Sequence, residues 1–193
     1  TTVLCDLAMR WATDMVMPDG TPGIPNGNVL YLCLDDVLPK VAARLIASGG
    51  GDGTKAQVAR SRLRLLRQDV DNNDIQIGRE QTADRGDDAT KLKRAIEACR
   101  ASVVIIDTLV RATSAERDLR DYQAASEVAK TLDAIARETG AAIICTNHVT
   151  KGPGNRVDNG YGSKGGLLGT ARSALTLTRD SDADEGKPLY AVE

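Results

Sequence analysis

Apolar residues run together at three places along the chain, and each run ends in polar side chains. The runs cover residues 28–34 (NVLYLCL), 102–107 (SVVIID) and 141–148 (AAIICTNH). A short, almost continuous apolar run is typical of a parallel strand that is covered on both faces. Segments with helical spacing of apolar residues separate the runs. The pattern therefore predicts an α/β fold with a mostly parallel sheet flanked by helices.

Helical spacing occurs in four longer segments, and weaker elements follow near the C-terminus. The helical segments are 2–15, 39–48, 88–100 and 116–139. Pro39 is acceptable in a first helical turn, and Gly140 suits the end of a helix. Further along, residues 167–173 are predicted to form a helical turn, and residues 174–178 and 188–192 an antiparallel hairpin.

Residues 52–90 have the weakest pattern in the chain. Within this segment, the basic stretch 60–67 is predicted to be a short helix with a solvated charged face. Residues 74–78 are predicted to form a short strand and residues 79–88 a loop. We interpret 52–87 as a variable insertion in one domain that spans the whole chain.

Composition narrows the class of protein. Hydrophobic residues make up 41% of the chain, aromatic residues only 3%, and Phe is absent, so the core must be aliphatic. The formal charge of −2 gives no bulk attraction to nucleic acid. No apolar run approaches the about 18 residues that a membrane span needs. The four cysteines have no CxxC or metal-ligand spacing, which predicts reduced, mostly buried thiols in a cytoplasmic protein.

Polar residues at the ends of the apolar runs are the candidates for chemistry. In parallel sheets, ligands bind outside the carboxyl ends of the strands. The predicted topology brings to this edge the residues Asp35, Asp36, Asp107, Asn147 and His148.

The carboxylates at this edge have two interpretations each. Asp107 ends an aliphatic strand, where a rigid carboxylate can hold a Mg²⁺-bound water beside nucleotide phosphates. The same pattern also ends many strands that have no such role. Asp35 and Asp36 can polarise a water for attack on a γ-phosphate, or they can cap the helix that follows. Capping is favoured for Asp36.

The remaining candidates are also ambiguous when read alone. His148 is the only histidine in the chain, and a lone histidine is often structural. Because it follows a buried strand and precedes a glycine-rich loop, either Asn147 or His148 can hydrogen-bond a γ-phosphate. Arg172 follows that loop and can reach a phosphate in its own or a neighbouring subunit, or it can be a solvated side chain.

Taken in order, these segments resemble the RepA-like branch of the RecA/DnaB superfamily of P-loop ATPases, which includes hexameric replicative helicases. The matching text is NVLYLCLDD, VVIIDTLVRAT, LDAIARETGAAIICTNHVTK and GSKGGLLGTARSALTLTRD. It covers nearly the whole chain apart from 52–87. The combination of IIDTL, an amphipathic helix ending in RETG and a strand ending in NHxxK is far more specific than any one part. The resemblance implies a RecA-like P-loop NTPase core.

The resemblance also implies a role for each matching position. Asp107 would be the Walker B aspartate, which binds Mg²⁺, and Asp35 would stand where the family usually has its catalytic glutamate. His148 would be a γ-phosphate sensor, and Lys151 the lysine of the same motif. Arg172 would be an arginine finger that acts on the nucleotide of an adjacent subunit.

This sequence departs from the family pattern at two of these positions. Asp replaces Glu at position 35, which shortens the side chain by one methylene. That change would slow hydrolysis or shift the role of base to Asp36. Asn147 replaces the first histidine of the family motif.

The start of the chain is the largest departure. In the family, GxxxxGK[ST] precedes the first helix, and its backbone N–H groups hold the phosphates. Here the chain opens with Thr1 and Thr2, and Thr1 matches the hydroxyl residue that binds Mg²⁺. We expect the P-loop and its strand to lie upstream, so that these 193 residues are an N-terminally truncated core that binds ATP poorly.

The implied function is ATP hydrolysis with Mg²⁺ by a ring, most simply a hexamer, that works on single-stranded DNA as a helicase or replication-initiation ATPase. Residues 111–118 and 151–166 would face the DNA. An alternative is a regulatory or assembly ATPase that oligomerises on ATP without unwinding DNA, and Asp35 suits its slow turnover. A dinucleotide-binding oxidoreductase is excluded because no GxGxxG follows a predicted strand.

Overall fold

The computed structural model describes most of the chain, with gaps. The described residues are 2–23, 27–49, 52–66, 75–77, 88–115, 117–147, 166–167, 169–175, 177–179 and 190–192. The helices are α1 (Thr2–Ala12), α2 (Leu38–Ser48), α3 (Gly53–Arg62), α4 (Asp88–Cys99), α5 (Leu109–Ala112) and α6 (Tyr122–Thr139). The strands are β1 (Asn28–Cys33), β2 (Leu63–Leu66), β3 (Ala101–Asp107), β4 (Ala142–Cys145), β5 (Leu177–Arg179) and β6 (Tyr190–Val192).

The main sheet has four parallel strands in the order β2-β1-β3-β4. Helices connect the strands because neighbouring parallel strands need a crossover. The predicted α/β fold with a parallel sheet flanked by helices is confirmed. In the register of β1 and β3, Tyr31 pairs with Ile105 and Cys33 with Asp107. Asp107, the polar residue that ends β3, therefore lies beside the end of β1.

The core lies on both faces of the two central strands. Side chains alternate between the faces of a strand, and here both faces are apolar. One cluster packs α4 and α6 against Leu30, Leu32, Val104 and Ile106. The other packs α1 and α2 against Val29, Tyr31, Val103 and Ile105. Every one of these strand residues is almost completely buried, which explains why the sequence shows continuous apolar runs rather than alternation.

Two helix ends follow local rules of capping. Asp121 begins α6 as its N-cap, where its carboxylate accepts a hydrogen bond from the Ala124 N–H at 2.8 Å. Gly140 ends the helix in the left-handed conformation, with φ of 70°. The helix is therefore shorter than the predicted 116–139 at its N-terminal end, but its end at Gly140 agrees with the prediction.

The interpretation of residues 60–67 as a short helix is wrong. Residues 60–62 complete α3, and Leu63–Leu66 form β2, which pairs with β1 at the edge of the sheet. Leu66 is buried, whereas Arg64 is exposed. An edge strand tolerates such a charge because one side of it faces solvent. The predicted strand at 74–78 has described residues only at 75–77, where Ile77 makes an isolated bridge to Thr113.

The predicted C-terminal hairpin is not supported as part of the core sheet, because all four strands of that sheet are parallel. The three-residue strands β5 and β6 pair antiparallel with each other, in a separate two-stranded sheet. Within the described ranges, no helix combines the length and the apolar character that a bilayer span requires.

Candidate functional site

The carboxyl ends of β1, β3 and β4 are joined by backbone hydrogen bonds. The Leu34 and Asp35 N–H groups donate to the Asp107 carbonyl at 2.8 and 3.2 Å. On the other side, the Thr146 N–H donates to the Ile106 carbonyl at 3.1 Å. We call the edge formed by Asp35, Asp36, Asp107, Thr108, Thr146 and Asn147 the carboxyl rim. These bonds fix the relative positions of the polar residues at the ends of the three strands.

The Asp107 carboxylate is buried and accepts a hydrogen bond from a hydroxyl group on each side. Tyr31 on β1 donates to Oδ2 at 2.8 Å, and Thr146 after β4 donates to Oδ1 at 2.8 Å. Asp107 itself is 4% exposed. Burial, together with the charge of Asp107, raises the pKa of the Tyr31 phenol well above its usual value. The phenol therefore remains protonated and can serve as a donor throughout the physiological range of pH.

Thr108 places a second polar group beside Asp107. The peptide bond between these two residues is cis, and Thr108 is the N-cap of α5. Its side chain is buried, and its Oγ1 has no hydrogen-bond partner among the described residues. A buried hydroxyl without a partner is unfavourable in an apolar environment. An incoming polar ligand would remove this cost.

The rim fits Mg²⁺ bound together with a phosphate group. Mg²⁺ prefers oxygen ligands and is usually held by one or two carboxylates plus substrate phosphates, not by a cage of protein ligands. The described part of the chain contains no cluster of three metal-binding side chains. The buried Asp107 carboxylate and the neighbouring Thr108 hydroxyl provide oxygen atoms of the kind that such an ion binds.

Asp36 is committed to α2 and not to the centre of the rim. The Arg44 guanidinium donates to its Oδ2, and Lys40 Nζ lies 3.8 Å from its Oδ1. The hydrogen bond from Arg44 lowers the pKa of Asp36. The expectation that Asp36 caps α2 is wrong, because the N-cap is Val37 and has no side-chain capping bond. The Asp36 carboxylate instead accepts from the Val37 N–H, one residue before the helix begins.

Asp35 is exposed and faces the segment that follows β3. Its Oδ1 lies 3.5 Å from Nε of Arg111, which is 67% exposed. Arg111 lies in the last turn of the short helix α5. An ion pair therefore links Asp35 to Arg111. Asp35 matches the position of the catalytic acid in the resembling family, and Arg111 is predicted to face DNA. Because both side chains are exposed, the pair contributes little to stability.

The structure describes only some of the other predicted site residues. Thr2 is exposed at the start of α1, and Asn147 is half-buried at the rim. Arg172 is exposed, and within the described residues no hydrogen bond or ion pair connects it to the rim. Thr1, His148 and Lys151 lie outside the described residues.

Sequence reasoning missed the hydroxyl donors that hold Asp107. Tyr31 is a polar-tipped side chain in the middle of the first apolar run, and Thr146 lies between the third apolar run and Asn147. Both signals are present in the sequence, but the register of three strands decides whether these hydroxyls reach the same carboxylate.

Comparison with protein families gives one result over most of the chain. A family model described as an AAA domain, AAA_25, matches residues 1–154. The matched region contains every rim residue and ends before Arg172. Such domains are of the P-loop ATPase type, which implies nucleotide binding and nucleotide-dependent ATPase chemistry. No curated protein matches the chain.

Proposed function

The chain belongs to the AAA domain family, and from that premise we propose that it binds ATP with Mg²⁺ at the carboxyl rim and hydrolyses it there. One observation carries the proposal. The buried Asp107 carboxylate accepts hydrogen bonds from Tyr31 and Thr146 and lies next to the unpaired Thr108 hydroxyl. Mg²⁺ bound there would supply positive charge to the phosphates.

The proposed roles divide the rim between metal binding and water activation. Asp107 would hold the metal through its bound water, with Thr1 as a further ligand. Asp35 would polarise the attacking water, and its main-chain bond to the Asp107 carbonyl supports a fixed spacing between the backbones of the two residues. Asp36 is less suited to this role because Arg44 and Lys40 already offset its charge.

We assign the remaining roles to residues near the end of β4 and beyond it in sequence. Asn147 and His148 would detect the γ-phosphate, together with Lys151. Arg172 would act on the nucleotide of an adjacent subunit, so a ring of subunits is required. These roles rest on the resemblance to RepA-like members of the RecA/DnaB superfamily.

We further propose that hydrolysis drives work on single-stranded DNA, with the hexameric helicases and replication-initiation ATPases as the closest functional class. The segments 111–118 and 151–166 would contact DNA. The exposed Arg111 supports this, because its ion pair with Asp35 connects a candidate DNA contact to the candidate base. A DNA phosphate that draws Arg111 away would change the environment of Asp35 and hence the rate.

Steady-state ATP turnover by the full-length protein tests the proposal. It should require Mg²⁺, stop in EDTA and rise when mixed-sequence single-stranded DNA is added. Duplex DNA at the same nucleotide concentration is the matched control for simple charge effects. A Mg²⁺-dependent rate that is indifferent to DNA would reject the DNA motor while leaving the ATPase. No turnover and no nucleotide binding would reject both.

The alternative function is an ATPase that assembles on ATP and turns over slowly. Asp at position 35 favours it, because its carboxylate is one methylene shorter than that of the glutamate usual in the resembling family. Sedimentation velocity with ATP, ADP and no nucleotide separates the two functions. ATP-dependent assembly with slow turnover and no strand unwinding would support the alternative, whereas rapid turnover would eliminate it.

A further inference from the structure

Tyr31 and Asp107 lie on the same face of the sheet, on neighbouring strands. Tyr31 pairs in register with Ile105, two residues before Asp107. Side chains two residues apart on a strand share a face. The tyrosine side chain is long enough to cross this diagonal, and its hydroxyl ends 2.8 Å from Asp107 Oδ2. The ring itself is fully buried in the cluster that packs α1 against the sheet.

The two hydroxyl donors act on the carboxylate from opposite sides. Tyr31 belongs to β1 and Thr146 follows β4, and these strands flank β3 on either side. Each donor takes one of the two oxygens. Together they fix the rotation of the carboxylate about its bond to Cβ. Both of these donors are neutral hydroxyls, so they orient the group without bringing a charge of their own.

From this geometry we propose that Tyr31 is a positioning residue of the metal site. Its hydroxyl holds the Asp107 carboxylate in the orientation that binds Mg²⁺ with a nucleotide. The inference rests on the proposed nucleotide-binding function. Tyr31 contacts neither the metal nor the nucleotide in this assignment, and it acts through Asp107 alone.

The Tyr31 side chain also packs against α1. Cys5, in the first turns of α1, is completely buried in the same cluster as the Tyr31 ring. Burial raises the pKa of the Cys5 thiol, so the thiol stays neutral. Tyr31 therefore packs against α1 and donates its hydroxyl to Asp107 on β3. A change at Tyr31 is expected to loosen Asp107 relative to the start of α1.

The main test is Tyr31→Phe in the full-length protein, which removes only the hydroxyl. Binding of methylanthraniloyl-ADP is followed by fluorescence while Mg²⁺ is titrated, and again in EDTA. We expect the half-saturating Mg²⁺ concentration to rise by about 10- to 100-fold, the range for losing a partner of a metal ligand. Affinity in EDTA should not change, because the metal is then not involved.

Tyr122→Phe is the matched control. It makes the same chemical change at a tyrosine on α6 that is 59% exposed, and both affinities should equal those of the wild type.

On the other side of the carboxylate, Thr146→Val should weaken Mg²⁺ binding as Tyr31→Phe does. Thr146→Ser keeps the donor and should restore it.

A second measurement does not depend on the folding of Tyr31→Phe. Adding Mg²⁺ to the nucleotide complex should alter the near-ultraviolet tyrosine spectrum of the wild type and of Tyr122→Phe, because the metal draws charge from the carboxylate that accepts the Tyr31 proton. No spectral change in these two proteins would overturn the inference.

The outcomes separate this inference from the proposed function. Normal Mg²⁺ dependence in Tyr31→Phe would overturn the positioning role while leaving nucleotide binding intact. Equal weakening with Mg²⁺ and in EDTA would show a general structural role and would also overturn it. A wild type that binds the nucleotide without any effect of Mg²⁺ would overturn the proposed function together with the inference.

Discussion

Asp107 ends β3 and Asp36 follows the neighbouring parallel strand β1, yet their carboxylates have different partners. Asp107 is buried and accepts hydrogen bonds from two neutral hydroxyls. Asp36 is partly exposed and is paired with the cations of Arg44 and Lys40. Neutral donors fix the direction of a carboxylate but leave its charge, whereas a guanidinium largely cancels it. The variants below test the proposal that Asp107, and not Asp36, holds the cation of the site.

The largest effect is expected from Asp107→Asn. It removes the charge but keeps the size and one acceptor, so ATP hydrolysis should fall to the background rate while the fold is retained. Turnover and circular dichroism of the full-length protein measure both effects. Asp133→Asn on α6, which breaks an ion pair with Arg137 at the surface, should leave turnover unchanged. Appreciable turnover in Asp107→Asn would contradict the metal-binding role.

Arg172→Ala tests whether the rim is completed by another subunit. Turnover should fall by about 10³-fold, the scale of an arginine finger, while nucleotide affinity stays near that of the wild type. Mixing this variant with Asp107→Asn should partly restore turnover if each active site uses residues from two subunits. An unchanged rate for Arg172→Ala would remove this residue from the proposed site.

Arg111→Ala addresses the exposed ion pair beside the rim. Losing one phosphate contact should weaken binding of single-stranded DNA and reduce the slope of log affinity against log salt by about 1. Arg137→Ala is the control, since Arg137 on α6 is also an exposed arginine paired with an aspartate, Asp133. The same slope in the wild type and Arg111→Ala would count against a DNA contact at this position.

The smallest effect is expected from Asp36→Asn, which removes the partner of Arg44. Turnover should stay within about twofold of the wild type, as for most surface changes. A rate as low as that of Asp107→Asn would place Asp36 in the chemistry and end the contrast between the two carboxylates.

The same variant has a predicted pH dependence of stability. Arg44 lowers the folded-state pKa of Asp36 below its ordinary value of 3.8. A carboxylate with a lowered pKa stabilises the fold above its unfolded-state pKa, and this contribution is lost as pH falls through the folded-state value. The unfolding midpoint of Asp36→Asn should therefore lie below that of the wild type at neutral pH. The two should converge well below about pH 4, and a constant difference would contradict the pairing.

Some features of the fold were predictable because they depend on local pattern. The strands at β1, β3 and β4 were predicted from their apolar runs, and their common carboxyl edge followed from parallel topology. The stretch 60–67 was not predicted correctly. Its helical end and its strand are too short to show a clear period, and pairing with β1 decided the result. The capping role of Asp36 failed because α2 begins one residue later than that role requires.

The sequence by itself determined the apolar strands, the acidic residues that follow them and hence the edge of the sheet at which chemistry is to be sought. These properties come from side-chain patterns that act over a few residues. Only the tertiary structure decided that Tyr31 and Thr146 hold Asp107 while Arg44 holds Asp36. Tyr31 and Asp107 are 76 residues apart in sequence and 2.8 Å apart in space. Such a contact depends on strand order and register, which are set by packing of the whole sheet.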